Sequence, residues 1–396
     1  MKIIKIVIIR HSKCHFKDLY LFKLSPMKYF LTTLALTLVS ITWSQQTNET
    51  IDIGGVTREY IQNLPVAFDP INESLPVVFC LHGLGSNAQV MTAIGFNQIG
   101  DTARFITIYP EGVLNTFGQA SWSNGTLLAS TAADFDFFNN LIDDMVLNYN
   151  ADPSRIYFSG FSMGSIMSYK LACELNGRIA AIGTMSGTMS TEDVNNCVPT
   201  YLTPVIHFHG TIDPTVPYDS GALPSLSLVP ETIEFWRNAH NCSVAYDSTQ
   251  IPDIAADGLT VDRFVYQNCT PLNSLEFWRI NGGEHDYFYE PVNDFTEAVE
   301  IWNFFSQWSH PNPESAGILS LGESPVQITP NPSLGIIDIT VEKNDKLLIH
   351  SSIGKSVYSV DINSGLNTVD VSYLEPGVYM VQLKSRPTYS KRIVIQ

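Results

Sequence analysis

The chain has 396 residues, 44% of them hydrophobic, and a formal charge of −17. That apolar content suits a folded globular chain, and the length suits more than one folded unit. The acidic balance leaves no electrostatic footprint for nucleic acid, which is not expected as a partner.

Residues 1–26 hold six Lys/Arg against one Asp and are read as an extension upstream of the true start, Met27. Met27-Lys28, the apolar run from Tyr29 to Ile41 and Thr42-Trp43-Ser44 have the form of a secretory signal over 27–44, with cleavage before Gln45. The apolar run is short for a membrane span, and an uncleaved anchor is the minor alternative to a cleaved signal. Cysteine usage agrees with export: Cys242 is expected to pair with Cys269 and Cys173 with Cys197. Cys80 lies inside an apolar run and is read as a small core residue. No Cys or His spacing suits a metal, and neither a metal nor another cofactor is expected.

From 45 to 311, short apolar strands alternate with helical patterns, which predicts a mostly parallel sheet with helices on both faces. Strands are expected at 50–53, 59–64, 75–81, 105–109, 155–161, 180–185, 204–208, 261–266 and 275–280. Helices are expected at 134–148, 164–175, 230–240 and 294–308. The run 75–81 is continuously apolar, as a strand buried on both faces requires. It ends in His82-Gly83-Leu84-Gly85-Ser86-Asn87, where glycines let backbone amides approach a negative charge. In 134–148, Phe137, Leu141, Met145 and Asn148 recur at helical spacing, and Asp134 and Asp136, suited to the positive N-terminus, are read as a cap and not as a catalytic carboxylate pair.

Gly160-Phe161-Ser162-Met163-Gly164 lies between the strand at 155–161 and the helix at 164–175. The pentapeptide alone is a weak signal, but this setting is what a nucleophile elbow needs: a sharp turn that forces a serine out at its apex. A serine hydroxyl needs a histidine base, itself oriented by a carboxylate. Downstream, the strand at 204–208 runs into His209-Gly210-Thr211-Ile212-Asp213, and Asp213 is preferred over Asp219 as the acid. The last strand is followed by Asn281-Gly282-Gly283-Glu284-His285, and His285 is the candidate base. The amides of Met163 and Leu84 are the candidate oxyanion donors. His207 and His209, on one face of their strand, are read as structural.

With these residues in place, the chain resembles the esterase/polyhydroxybutyrate-depolymerase family, α/β-hydrolases related to feruloyl and acetylxylan esterases. The shared motifs are Leu81-His82-Gly83, Tyr109-Pro110-Glu111-Gly112 with Trp122 beyond, and Gly160 to Gly164. They continue with Leu171-Ala172-Cys173, His209-Gly210-Thr211 with Asp213 and Val216-Pro217-Tyr218, and Gly282 to His285. The resemblance implies a serine esterase with a Ser162–Asp213–His285 triad. Ser165 departs from the family, which often has glycine there, and Asp286-Tyr287 departs where Trp-Pro is common. Trp122 is taken as a candidate substrate-binding residue, whereas Tyr218, Tyr287 and Tyr289 are equally readable as rim packing.

Residues 312–326 read as a linker rich in Pro, Ser and Gly. Over 327–396 the pattern becomes β only, with strands expected at 336–341, 346–350, 356–360, 368–371, 377–383 and 391–395, the makings of a small sandwich. Pro330-Asn331-Pro332, Gly354-Lys355, Leu374 with Pro376-Gly377-Val378-Tyr379, and Lys391 to Ile395 resemble the C-terminal sorting domain of type IX secretion cargo. That resemblance implies the type IX machinery as a partner, and release from or attachment to the surface of a Gram-negative cell. A carbohydrate-binding or adhesive sandwich is the alternative. The sequence thus predicts an α/β-hydrolase fold with a small C-terminal all-β sandwich, acting as a secreted carboxylic ester hydrolase on feruloyl, acetyl or hydroxyalkanoate esters. A peptidase of the oligopeptidase type and a non-catalytic carbohydrate-binding surface protein are the competing readings. The absence of a propeller speaks against the first and the intact triad order against the second.

Overall fold

The computed structural model describes residues 45–313 and 326–395, apart from 222, 272, 273, 331, 332, 342, 352–355 and 385. The extension at 1–26, the signal at 27–44, most of the linker and the Asn331-Pro332 and Gly354-Lys355 motifs lie outside the described residues.

In chain order the first part runs β1 (Gln45–Ile53), β2 (Val56–Leu64), β3 (Val77–Leu81), α1 (Ala88–Met91), α2 (Phe96–Ala103) and β4 (Ile106–Pro110). A short hairpin, β5 (Val113–Leu114) and β6 (Ala120–Ser121), precedes α3 (Asp134–Tyr149), β7 (Ile156–Phe161) and α4 (Met163–Glu174). Then come β8 (Ala181–Met185), α5 (Thr191–Asn196), β9 (Val205–Gly210), α6 (Val229–Ala239), β10 (Tyr246–Ile251), β11 (Thr260–Tyr266), β12 (Leu275–Asn281) and α7 (Glu297–Phe305). The ten large strands form one sheet in the order β1-β2-β4-β3-β7-β8-β9-β12-β11-β10. The six central strands, β4 to β12, are parallel, and antiparallel strands extend both flanks. All the expected strands and helices are present.

Strand β3 shows why the apolar runs had to be continuous. Val77, Phe79 and Leu81 enter the core beneath α3, α4 and α6, while Val78 and Cys80 enter the one beneath α1, α2 and α7. Alternate residues face opposite sides of a strand, so a strand covered on both sides needs apolar residues at every position. The two cysteine pairs, Cys173–Cys197 and Cys242–Cys269, lie at disulfide distance with S–S of 1.98 and 2.03 Å. Cys80 is a buried free thiol.

The second part runs β13 (Val326–Thr329), β14 (Ile336–Val341), β15 (Asp345–Ser351), β16 (Ser356–Ile362), β17 (Gly365–Asp370), β18 (Gly377–Leu383) and β19 (Arg386–Ile395). A three-stranded sheet, β13-β14-β17, and a four-stranded sheet, β16-β15-β18-β19, share one apolar core that includes Ile337, Ile339, Leu347, Ile349 and Ile393. The strands of each sheet pair antiparallel, and one isolated parallel bridge joins Ser333 to Ile395.

Candidate active site

Ser162 sits at the turn from β7 into α4 with φ 56° and ψ −118°, a conformation that costs a non-glycine residue about 1–3 kcal/mol. Neighbouring contacts force it. The chain crosses itself so closely that a Cβ on Gly160 would lie 2.4 Å from the carbonyl carbon of Gly164. The Ser162 amide donates to Met185 O at 2.8 Å, and its carbonyl accepts from the Ser165 amide at 2.9 Å. Ser165 then fastens the elbow to its neighbour strand. Its Oγ lies 2.6 Å from Gly160 O and 2.7 Å from Met185 O, and accepts from the Met185 amide at 2.8 Å. The serine that departs from the family motif thus acts as a buried polar tie.

His285 Nε2 lies 2.9 Å from Ser162 Oγ, and its Nδ1 lies 2.6 Å from Asp213 Oδ2. With a carboxylate on Nδ1, that nitrogen carries the hydrogen and Nε2 is free to accept the serine proton. Asp213 is almost fully buried. Its Oδ1 accepts the amides of Thr215 and Val216 at 2.7 and 2.8 Å, and His209 Nε2 lies 3.4 Å from Oδ2. Burial by itself would raise this carboxyl; hydrogen bonds from His209, His285 and the Val216 amide override it and hold the group well below the usual carboxylate range. His209 donates Nε2–H to Val216 O at 2.8 Å, so it braces the acid loop. His207 is fully buried against Tyr169 and Thr184. Asp219 is exposed.

Facing the serine, Gly83 comes so close that a Cβ there would lie 3.2 Å from Ser162 Cβ. The amides of Leu84 and Met163 have no hydrogen-bond acceptor among the described residues. Met163 opens α4, at the positive end of its dipole. The Leu84 loop is clamped from the β4 side. His82, fully buried, holds Gly83 O through Nδ1 at 2.7 Å and accepts the Gly112 amide on Nε2 at 2.9 Å. Burial lowers its affinity for a proton and suits this neutral role. Glu111 accepts the Ala88 amide at 2.7 Å, and Ala120 O accepts from Gly85 N at 2.8 Å.

Trp122 does not take the substrate-binding place expected of it. It is 0% exposed, so it offers substrate no surface. Its indole N–H donates to His82 O at 2.9 Å and its ring packs on Phe138. Position in sequence could not distinguish a rim aromatic from one folded beneath the loop. Neither Asp134 nor Asp136 caps its helix: both lie in the first turn, and the cap position is Ala133, with no side-chain cap bond. Asp134 is instead buried, pairs with Arg58 at 2.8 Å and accepts the Ser123 amide at 2.7 Å. The bracing by His82, Glu111, Gly112 and Ser165 was not read from the sequence, although the motif Tyr109 to Gly112 marked the place.

Behind His285, Ser186 Oγ holds Asp286 O at 3.3 Å, and the buried Glu297 accepts the Phe288 amide at 3.2 Å. Among the described residues one acidic trio, Asp253, Asp257 and Asp294, brings its oxygens within 4.8 Å of one another. Asp294 takes the amides of Ile254 and Ala255, and Asp257 takes the Asn293 side chain, so the trio clasps the β10–β11 loop to the segment before α7.

Residues 121–230 match the phospholipase/carboxylesterase family, and residues 327–396 match the secretion system C-terminal sorting domain. The first match includes Ser162, Met163 and Asp213. The chain is 26% identical over 266 residues to a bifunctional acetylxylan esterase/xylanase of Neocallimastix patriciarum, covering 66% of this chain and 35% of that protein. It is 26% identical over 278 residues to feruloyl esterase D of Neurospora crassa, 66% of this chain and 85% of the other. To a poly(3-hydroxyalkanoate) depolymerase C of Paucimonas lemoignei it is 26% identical over 114 residues, 28% of each chain. The chain therefore spans only about a third of the first of these relatives.

Proposed function

We propose that this chain, which matches the phospholipase/carboxylesterase family over residues 121–230 and a secretion sorting domain over 327–396, is a secreted serine esterase cleaving carboxylic esters through an acyl-enzyme. The observation that carries this reading is the unbroken hydrogen-bonded line from Ser162 through His285 to Asp213. Ser162 Oγ attacks the ester carbonyl while His285 Nε2 takes its proton, and the buried Asp213 stabilises the imidazolium. The tetrahedral oxyanion receives the amides of Met163 and Leu84. Collapse expels the alkoxide, which leaves with the proton held by His285. Water, deprotonated by the same nitrogen, then attacks the acyl carbon, and Ser162 departs reprotonated.

The relatives named acetylxylan esterase and feruloyl esterase support acetyl or feruloyl esters as the substrate class, carried on a plant polysaccharide in this reading. A polyester is the second reading, favoured by exposed apolar side chains near the oxyanion loop. The hairpin that holds this loop exposes Leu114 and Phe117, and the following segment exposes Leu127. The sorting domain implies export by type IX machinery across a Gram-negative envelope, with the signal at 27–44 directing the first step. Turnover of p-nitrophenyl acetate with labelling of Ser162 by a fluorophosphonate is the expected result. Undiminished turnover in Ser162→Ala overturns the mechanism, and a panel of acetylated xylan, feruloylated oligosaccharide and polyhydroxybutyrate decides the substrate class.

A further inference from the structure

On the antiparallel flank of the sheet, α6 and strands β10, β11 and β12 border an open groove of about 220 Å³. Its aromatic lining is Tyr218, Tyr246, Phe264, Tyr266 and Phe277. Phe264 and Phe277 lie 18° from parallel with centroids 5.7 Å apart, and Tyr218 continues the row at 29° and 6.4 Å from Phe277. Tyr246 stands across Phe264 at 82° and 5.0 Å, so the row acquires a side wall. Tyr246 is 48% exposed although it sits in a strand.

The charge pattern narrows the ligand. Arg279 pairs with Asp262 at 2.8 Å and lies over Phe264, and Glu234 is held by Arg237. Each charged lining residue is therefore neutralised within the protein, and the groove offers no uncompensated charge to an ionic ligand. A hydrocarbon chain is equally unsuited. The hydroxyls of Tyr246 and Tyr266 make no hydrogen bond to the described residues, and burying them under an apolar chain would strand them without partners. Phe264 and Phe277 are buried and form the floor, while the exposed ring of Tyr246 and the half-buried rings of Tyr218 and Tyr266 face the groove. Such rings, with hydroxyls at their rim, match a neutral sugar ring, whose C–H faces stack on aromatic faces while its hydroxyls take the polar edge.

One end of the groove is built by the loop that carries Asp213. Tyr218 lies on that loop, its ring edge-on to His209 at 6.2 Å, and His209 touches the Asp213 carboxylate. We infer that this groove is a second binding site, for a neutral pyranose residue of the polysaccharide whose ester occupies the active site. The inference rests on the esterase reading for its purpose, but not for its geometry.

The test uses the full chain. In Ser162→Ala, which holds turnover off, ester-free xylo-oligosaccharide is titrated by calorimetry, with and without the added changes Tyr246→Ala and Tyr266→Ala. Saturable binding that weakens about 10-fold in the triple variant is expected. In the otherwise wild-type enzyme, the two tyrosine changes should raise KM for acetylated xylan by a similar factor. They should leave kcat, and kcat/KM for p-nitrophenyl acetate, unchanged. Equal oligosaccharide binding together with equal KM overturns the proposal. Should the paired change lower the melting temperature, Tyr246→Ala alone, at an exposed position, carries the same comparison. If wild-type protein hydrolyses no ester yet binds oligosaccharide through these tyrosines, the esterase reading fails and the groove stands. If it hydrolyses esters and binds no oligosaccharide, the reverse holds.

Discussion

Strand β3 is buried at all of its positions, whereas β14 alternates between buried and exposed or half-buried ones. In the first case both faces are covered by helices, and polar side chains that must meet solvent can leave only at the strand ends. Ser162, Asp213 and His285 follow β7, β9 and β12, and the Leu84 loop follows β3. In the second case the small sheets share one core and leave the opposite faces open. No buried line of nucleophile, base and acid is found among the described residues of 326–395. The two modes of burial thus separate chemistry from packing: the parallel sheet concentrates reactive groups along one edge, and the antiparallel pair presents a surface.

Several changes would break or sharpen that contrast. Ser162→Ala should lower kcat by about 10⁵-fold with little change in melting temperature, because it removes the proposed attacking group and not its support. Gly160→Ala should destabilise by about 3 kcal/mol and abolish turnover, since the new Cβ would meet Gly164 at 2.4 Å; thermal melting and ester hydrolysis read both. Ile339→Ala, in the core of the second part, should cost about 3 kcal/mol of local stability, measured as faster proteolysis within 326–395, while kcat for p-nitrophenyl acetate stays at the wild-type value. A fall in kcat there would erase the separation drawn above.

The smallest effect concerns pH. Burial raises the Glu297 carboxyl well above its ordinary 4.5, against the Phe288 amide, which favours the charged form. The folded protein then keeps a proton that the unfolded chain releases. This contribution to stability is full below about 4.5 and is lost as pH rises through the folded-state value. Glu297→Gln should flatten that decline with rising pH in a plot of melting temperature against pH. Asp213 has the opposite sign: its carboxyl is depressed below 3.8, so its contribution is present above that value and lost as the solution is acidified.

Much of the fold was legible because burial on two faces writes itself as uninterrupted apolar runs, as in Val77–Leu81 and Ala181–Met185. Strand β10 was missed for the converse reason. It is an edge strand reading Tyr-Asp-Ser-Thr-Gln-Ile, exposed at its first five positions, and shows no core-facing pattern. Helix α2 was missed because Gly100 interrupts its apolar face, although Phe105 packs so closely there that a larger side chain would not fit. The triad candidates were legible through strand order, since each follows a recognisable strand. The supports around them were not: Ser165, His82 and the Arg58–Asp134 pair act through contacts between segments far apart in the chain, which no local spacing encodes.

The bridge Cys173–Cys197 joins the last turn of α4, the helix that Ser162 opens, to the residue just past α5, closing a loop with a sequence separation of 24; Cys242–Cys269 closes one of 27. Each such closure is worth about 3 kcal/mol once formed and nothing while the thiols stay reduced. A chain whose thiols are still reduced would hold the first part of the fold at a markedly lower melting point than one whose bridges have closed. Full robustness would therefore arrive only in an oxidising space, and the reduced chain would be the looser form.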